Sequence, residues 1–321
     1  MLVNTMRGKI VKTENQKEIM LKRGFLKRNY RLILDKNLCN GCGLCAEICP
    51  KEAVKVNPAE ITEDHLVTKP TIDFEVNSCN LCGECAVLCP LNALRMEIDG
   101  KEIATLVKNE AFPVLLKEIT VDIEKCDPKC NLRCQEECPT EAIKVSTKKS
   151  ENGKTVITDV QIIEDYCFYC KRCQLACPLD AIEVKKPFQG TIDLKTDLCP
   201  EGCTICVDIC PTDAIKLEKN RLTVYPEFCV FCSACQQVCP KEAVEVNRTW
   251  IFHSDVKAAA WLTALKKLTS FEIVRKELMI KSGKRRTSSV DNRKRTVPLK
   301  PEQKEDDRVT EFLEILSKYK K

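Results

Sequence analysis

Short apolar segments of three to five residues recur between residues 32 and 246, before and after six similar stretches of sequence. Segments of this length, bounded by polar and turn-forming residues, are typical of short strands. Strands are predicted before the six stretches at Leu32–Leu34, Ile72–Phe74, Ile119–Ile123, Val160–Ile163, Thr191–Leu194 and Leu222–Val224. Others are predicted after them, as at Val54–Val56, Ile182–Val184 and Val244–Val246.

Towards the C-terminus the apolar pattern changes to a helical period. Ser254 could cap a helix that runs to about Leu278, and a second helix is predicted at about 307–319. Their apolar faces carry Trp261, Leu265, Leu268 and Phe271 in the first helix and Val309, Phe312, Leu313 and Leu316 in the second. Either helix could pack on the chain itself or dock on a partner. Weak helical character is also expected near the N-terminus, at residues 16–28.

All 24 cysteines lie in the six similar stretches, four in each. Four stretches have the spacing C-x2-C-x2-C-x3-C-P, and two have the longer forms C-x3-C-x3-C-x3-C-P and C-x3-C-x2-C-x3-C-P. Each continues as P-x-x-A, which we interpret as one helical turn opened by proline. The six groups are Cys39, Cys42, Cys45 and Cys49; Cys79, Cys82, Cys85 and Cys89; Cys126, Cys130, Cys134 and Cys138; Cys167, Cys170, Cys173 and Cys177; Cys199, Cys203, Cys206 and Cys210; and Cys229, Cys232, Cys235 and Cys239.

This spacing is the bacterial-type signature of [4Fe–4S] clusters. Two other uses of cysteine are disfavoured. Disulfides suit secreted proteins, and the first 12 residues contain no long apolar stretch typical of a signal peptide. Zinc ribbons use two separated C-x2-C pairs rather than three cysteines in seven residues followed by C-P. The sequence therefore predicts six [4Fe–4S] clusters as cofactors, with all 24 cysteines as iron ligands.

Charge is unevenly distributed along the chain. Residues 1–38 carry a net charge of +7 and residues 248–321 carry +9, while residues 39–247 carry −11. Basic ends could contact an acidic protein or nucleic acid. Because no aromatic-rich basic surface accompanies them, we predict no nucleic-acid partner. No segment approaches the roughly 20 apolar residues of a membrane span, so we predict no transmembrane segment and a cytoplasmic location.

No recognisable catalytic motif accompanies the cysteines. The chain has no G-x-x-x-x-G-K-[ST] sequence, no G-x-G-x-x-G after a predicted strand, and no Ser/His/Asp set. Its two histidines, His65 and His253, lie in unrelated segments and are interpreted as ordinary surface residues. We therefore predict no catalytic residues and one-electron transfer as the chemistry.

Tandem cysteine groups of this form, over about residues 30–247, resemble those of the polyferredoxins of anaerobic archaea. In its tandem domains and its length, the chain is most similar to the polyferredoxin (iron–sulfur) component of tungsten- or molybdenum-dependent formylmethanofuran dehydrogenase. That family commonly carries eight clusters, whereas this chain has ligands for six. Similar polyferredoxins accompany hydrogenases, and cysteine spacing does not separate these groups.

The resemblance implies an electron wire in a multi-subunit oxidoreductase of methanogenesis. The implied partners are subunits of formylmethanofuran dehydrogenase, heterodisulfide reductase, a hydrogenase or a ferredoxin. The alternatives are a polyferredoxin associated with a hydrogenase, and a freely diffusing carrier of several clusters. A wire should co-purify with its partners, whereas a carrier should be isolated alone.

The resemblance also implies an α+β fold of three tandem bacterial-type 2[4Fe–4S] ferredoxin-like domains with basic extensions, the C-terminal one helical. We pair groups one with two, three with four and five with six, because pairing two with three and four with five would leave the outermost groups unpaired. The predicted boundaries are an N-terminal extension at 1–30, domain 1 at 31–99, a connector at 100–118, domain 2 at 119–186, domain 3 at 187–247 and the C-terminal extension at 248–321.

In two-cluster ferredoxins the fourth cysteine of one group binds the cluster of the other group. We number the implied ligand sets by the group that supplies their first three cysteines. The sets are site 1, Cys39, Cys42, Cys45 and Cys89; site 2, Cys79, Cys82, Cys85 and Cys49; site 3, Cys126, Cys130, Cys134 and Cys177; site 4, Cys167, Cys170, Cys173 and Cys138; site 5, Cys199, Cys203, Cys206 and Cys239; and site 6, Cys229, Cys232, Cys235 and Cys210.

Two basic residues, Lys171 and Arg172, lie between the second and third cysteines of group four. Reduction adds negative charge, so nearby cations favour the reduced form. Site 4 is therefore expected at a higher reduction potential than site 2, unless both side chains point to water and are screened.

Overall fold

The computed structural model describes residues 8–102, 105–150, 153–256 and 258–269. Its strands are β1 (Ile10–Glu14), β2 (Glu18–Gly24), β3 (Asn29–Asp35), β4 (Val54–Asn57), β5 (Glu60–Thr62), β6 (His65–Thr68), β7 (Thr71–Phe74), β8 (Leu94–Ile98), β9 (Lys101–Glu102), β10 (Glu118–Val121), β11 (Ile143–Lys149), β12 (Thr155–Ile162), β13 (Ile182–Lys185), β14 (Phe188–Leu194), β15 (Ile215–Glu218), β16 (Arg221–Val224) and β17 (Val244–Ile251). Its α-helices are α1 (Leu44–Ile48), α2 (Glu84–Val87), α3 (Thr105–Lys108), α4 (Arg133–Glu136), α5 (Arg172–Ala176), α6 (Ile205–Asp208), α7 (Ala234–Val238) and α8 (Ala259–Thr269). No helix in this part of the chain is long and apolar enough to cross a membrane.

The strands pair within three successive segments, at residues 29–98, 118–185 and 188–251. In each segment the strand before the first cysteine group pairs antiparallel with the strand after the second group. Between the groups a second antiparallel pair forms, and in the first segment the hairpin of β5 and β6 lies between the two strands of that pair. The pairs are β3 with β8 and β4 with β7, β10 with β13 and β11 with β12, and β14 with β17 and β15 with β16. Each segment therefore encloses two consecutive cysteine groups, and the short strands and helices are mixed as the α+β prediction expects.

The N-terminal residues extend the sheet of the first segment. β1 pairs with β2 and β2 pairs with β3, which gives the five-stranded order β1-β2-β3-β8-β9. The predicted helical character of residues 16–28 is wrong. Ile19 and Leu21 are buried and alternate with more exposed neighbours, which is the two-residue period of a strand. The side chain of Asn15 accepts hydrogen bonds from the N–H groups of Lys17 and Glu18 and so turns the chain between β1 and β2.

The C-terminal helix α8 begins later than predicted. Ser254 does not cap it, because the Ser254 N–H donates to the carbonyl of Val114 and its hydroxyl accepts from the Val114 N–H. Trp261 and Leu268 are buried, and α8 packs on β17 and α1 of the same chain. The rest of this predicted helix, Phe271 included, and the second helix at 307–319 lie outside the described residues.

Trp261 is the centre of this packing. Its side chain is fully buried and makes edge-to-face contacts with Phe112 and His253, with ring centroids 5.6 and 4.8 Å apart. We expect Trp261→Ala to lower the free energy of unfolding by about 3–5 kcal/mol, because a large cavity replaces the ring. Trp261→Phe should cost less, since among the described residues the indole N–H has no hydrogen-bond partner to lose. Anoxic urea unfolding followed by circular dichroism measures both, and equal midpoints for parent and Trp261→Ala would contradict the expectation.

Candidate iron–sulfur sites

The third cysteine of every group lies in a short helix, and the fourth cysteine follows the end of that helix. These helices, α1, α2 and α4 to α7, have only four or five residues. They were not predicted, because a single turn is too short to show a helical period. Their effect is to separate the fourth cysteine from the first three, so that it can reach the other group of its segment.

The loop between the first and third cysteines depends on left-handed backbone conformations. The residue before the second cysteine has a positive φ at Gly41, Leu81, Tyr169 and Phe231, and the residue after it does so at Gly43, Gly83, Lys171 and Ser233. For a non-glycine residue this conformation costs roughly 1–2 kcal/mol. The N–H groups of Gly41 and Phe231 donate to Cys39 Sγ at 3.4 Å and Cys229 Sγ at 3.3 Å, respectively. The turn thus supplies hydrogen bonds to sulfur.

The P-x-x-A sequence after the fourth cysteine is a turn, and the predicted helical turn is wrong. Its third residue has a positive φ in all six copies, and the alanine that follows is buried in all six. This turn directs the alanine N–H at the sulfur of the fourth cysteine. The bonds, at 3.2–3.4 Å, join Ala53 to Cys49, Ala142 to Cys138, Ala181 to Cys177, Ala214 to Cys210 and Ala243 to Cys239.

The fourth cysteine of each group lies beside the first three of the other group in its segment. Burial is the main cause that raises the pKa of these thiols, and the charge of the crossing cysteine adds to it. Cys89 acts in this way on Cys39, Cys42 and Cys45; Cys49 on Cys79, Cys82 and Cys85; Cys177 on Cys126 and Cys134; Cys138 on Cys167, Cys170 and Cys173; Cys239 on Cys199 and Cys206; and Cys210 on Cys229, Cys232 and Cys235. Cys130 and Cys203 lie beside Cys134 and Cys206. The structure therefore brings together the cysteines of each expected set, and ligation itself stays a prediction.

The donor chemistry of these sets fits iron–sulfur clusters. None of the 24 cysteines is in a disulfide. Burial raises the pKa of the Cys39 thiol to about 11 and that of Cys229 to about 12, so these thiols are protonated near neutral pH and would lose their protons on binding metal. Four cysteine sulfurs with adjacent N–H donors are the ligand environment that [4Fe–4S] clusters use.

Sites 1 and 6 contact each other although they belong to different segments. Asn40, which is buried, donates from Nδ2 to Cys232 Sγ at 3.6 Å. From the other direction, Gln237 Nε2 donates to the carbonyl of Cys42 at 2.6 Å. These bonds join the cysteine loop of site 1 to that of site 6.

Sites 1 and 4 are joined through the turn that follows Cys89. Asn92 Nδ2 donates to the carbonyl of Cys167 at 2.9 Å, and the Asn92 Oδ1 atom accepts from Lys117 Nζ at 2.8 Å. The Lys117 ammonium also lies 5.0 Å from the centroid of the Tyr169 ring. Site 1 therefore contacts both other segments.

Sites 4 and 6 are joined by Arg172, which sequence analysis singled out for its charge. Its guanidinium is buried, pairs with the carboxylates of Glu137 and Asp213, and donates to the carbonyl of Thr212 at 3.3 Å. It does not point to water. Two carboxylates offset its charge, so it gives little basis for a higher potential at site 4. Of the two basic residues singled out in the sequence, only Lys171 remains to support the predicted difference from site 2.

Three sites thus meet where the three segments meet. We call sites 1, 4 and 6 the inner sites and sites 2, 3 and 5 the outer sites. In sites 4 and 6 the first three cysteines of the ligand set are all buried. In site 3 none of the first three is buried. A cleft of about 510 Å³ lies at this junction, lined by residues of all three segments, including Cys39, Thr140, Phe168 and Ile209.

Comparison with known proteins agrees with this description. The family model for the 4Fe-4S dicluster domain matches residues 38–103, 121–181 and 198–243. Two similar curated proteins come from Methanothermobacter marburgensis. The polyferredoxin protein MvhB is 33% identical over 121 residues, which are 35% of this chain and 26% of the relative. The pyruvate synthase subunit PorD is 32% identical over 76 residues, which are 24% of this chain and 85% of the relative.

Several relatives are much longer than the matched region. The chain spans 12% and 58% of the length of two Escherichia coli proteins, UacF and YsaA, as well as 26% of the polyferredoxin. One solved structure is similar over most of this chain. It is a chain of the formate dehydrogenase, heterodisulfide reductase and formylmethanofuran dehydrogenase complex from Methanospirillum hungatei, with a TM-score of 0.69, 28% identity, and coverage of 83% of this chain and 93% of that chain.

Proposed function

We propose that this chain, which belongs to the 4Fe-4S dicluster family and is a multi-cluster iron–sulfur electron-transfer protein, is the polyferredoxin component of a formylmethanofuran dehydrogenase complex. One observation carries the choice of host. The similarity to a chain of the Methanospirillum hungatei complex extends over 83% of this chain, far beyond one dicluster domain. Electron transfer to or from heterodisulfide reductase or ferredoxin subunits is part of the proposal.

The proposed cofactors are six [4Fe–4S] clusters, one in each of sites 1 to 6. When bound, such a cluster supplies reversible one-electron chemistry. The chain's own residues hold it and set its surroundings. In each segment two groups exchange their fourth cysteines, and in five of the six P-x-x-A turns the alanine N–H donates to the exchanged sulfur, as Ala53 does to Cys49 and Ala214 does to Cys210. Such N–H groups stabilise the thiolate form.

The contacts between segments support a role within a larger assembly. The inner sites lie against one another, so a partner can approach the chain more readily at the outer sites. Site 3 is the clearest example, because Cys126, Cys130 and Cys134 are all partly exposed. We therefore expect redox partners to bind near site 3.

The cytoplasm is the proposed location. Reducing compartments keep cysteines available as cluster ligands, whereas oxidising compartments favour disulfides.

Affinity purification from native cells under anoxic conditions tests the host. We expect the tagged full chain to retain formylmethanofuran dehydrogenase and heterodisulfide reductase subunits, identified by mass spectrometry, with an unrelated two-cluster ferredoxin carrying the same tag as control. Recovery with hydrogenase subunits instead would favour a hydrogenase-associated polyferredoxin. Recovery of the chain alone would favour a diffusing carrier, and either result would reject the proposed host.

A further inference from the structure

Two adjacent lysines at the end of the second segment have different surroundings. Lys185, the last residue of β13, is exposed and forms an ion pair with Glu118 at 2.8 Å on the neighbouring strand. Lys186 turns the other way, into the third segment. Its ammonium donates to the carbonyl of Glu227 and, at 2.9 Å, to the carbonyl of Cys229. The ammonium also lies 5.9 Å from the centroid of the Phe231 ring.

The charge of Glu227 acts on Lys186 without forming an ion pair with it among the described residues. Within the described ranges its ammonium forms no ion pair, and its hydrogen-bond partners there are backbone carbonyls. Arg172 joins the same two segments, but there Glu137 and Asp213 supply two negative charges. Lys186 is therefore the less compensated cation of the two at this interface.

The ammonium lies close to two sites at once. It contacts the carbonyl of Cys229, and its charge interacts with the charges of Cys229 and Cys170. In return, Lys186 stabilises the thiolates of both cysteines, although burial and backbone N–H groups affect them more. Cys170 belongs to site 4 and Cys229 to site 6, so one side chain acts on sites in two different segments.

We propose that the positive charge of Lys186 acts on both site 4 and site 6 and raises the reduction potential of both. The inference rests on the proposed electron-transfer function. Reduction adds one electron to a site, and a cation in surroundings of low dielectric constant favours the form with more negative charge. Electrons in this chain would then reside at sites 4 and 6 in preference to the outer sites of the same segments.

The experiment is a redox titration of the full, anaerobically purified chain, followed by EPR, with iron and sulfide measured on each sample. Lys186→Gln removes the charge and keeps a side-chain donor, and Lys186→Met removes both. For two of the clusters we expect each variant to lower the equilibrium constant of reduction about tenfold, a shift of about 59 mV to lower potential for one electron. Lys186→Arg keeps the charge and should titrate like the parent.

Lys185→Met is the matched control, since it removes one positive charge from the adjacent residue. It should leave the titration unchanged. The proposal is overturned if Lys186→Gln titrates like the parent, or if Lys185→Met causes the same shift. Loss of iron in both Lys186→Gln and Lys186→Met would also overturn it, in favour of a purely structural role. Absence of iron–sulfur clusters from the parent would instead reject the proposed function itself.

Discussion

Cys49→Ala is expected to remove the cluster of site 2 and to leave site 1 intact. Cys49 follows the first three cysteines of site 1 in sequence, but it lies beside Cys79, Cys82 and Cys85. Without it, one iron of site 2 has no thiolate, and thiolates are the ligands that hold such clusters. Iron and sulfide should fall by roughly a sixth of the parent content, and the EPR spectrum of the reduced protein should lose the signal of one cluster.

Two further single variants, and the double variants that combine each with Cys49→Ala, test the exchange of ligands within the first segment. Cys79→Ala should cause the same loss as Cys49→Ala, and the double variant Cys49→Ala, Cys79→Ala should lose no more than either single one. Cys39→Ala should affect site 1, so its loss should add to that of Cys49→Ala. If Cys49→Ala instead behaves like Cys39→Ala, and their double variant loses a single cluster, each group closes its own cluster and the expected ligand sets are wrong.

Removal of iron by a chelator is expected to unfold the second segment before the first. Among the described residues, the separate core cluster of β10, β11, β12 and β13 contains seven buried residues, and two of them are Cys167 and Cys173. The sheet of the first segment also buries aliphatic side chains that do not depend on metal, among them Leu21, Leu32 and Met96. When metal supplies part of a small core, its binding free energy is folding free energy.

Hydrogen exchange of the anaerobic protein, before and after chelation, measures this order. Amides of β11 and β12 should lose protection almost completely, whereas those of β2 and β3 should keep a substantial part of theirs. The first segment serves as the internal control in the same sample. Equal loss of protection in both segments would contradict the prediction, because it would show that the fold of the first segment depends on metal as much as that of the second.

Local sequence patterns predicted the cysteine groups better than they predicted the structure around these groups. Cysteine spacing alone indicated the groups, and apolar runs located strands such as β7 and β13 because their buried residues are close together in sequence. The hairpin of β1 and β2 was missed, although Asn15 marks its turn and Ile19 and Leu21 alternate as strand residues do. Weak helical character was predicted there, and the two-residue period was the better guide.

Contacts between segments could not be predicted from sequence. Asn40 and Cys232 are 192 residues apart, and no period or motif connects them. The same limit applies to Lys186. It is the same residue type as its neighbour Lys185, but the two side chains project from different sides of the end of β13. For Arg172 the sequence indicated a charge beside a cysteine loop, and only the fold shows the two carboxylates that offset it.

In each segment the strand pair between the cysteine groups lies, in sequence, inside the pair formed by the first and last strands. This pairing sets the order in which the segments can fold and take up clusters during translation. β3 pairs with β8, so the first segment cannot close until about residue 98 has left the ribosome. Until then the emerging chain has Cys39, Cys42 and Cys45 without Cys89. Clusters would therefore be inserted in pairs, as each segment is completed at about residues 98, 185 and 251. Domains generally fold as units, N-terminal first, during synthesis, and in this chain the unit of folding would also be the unit of iron delivery.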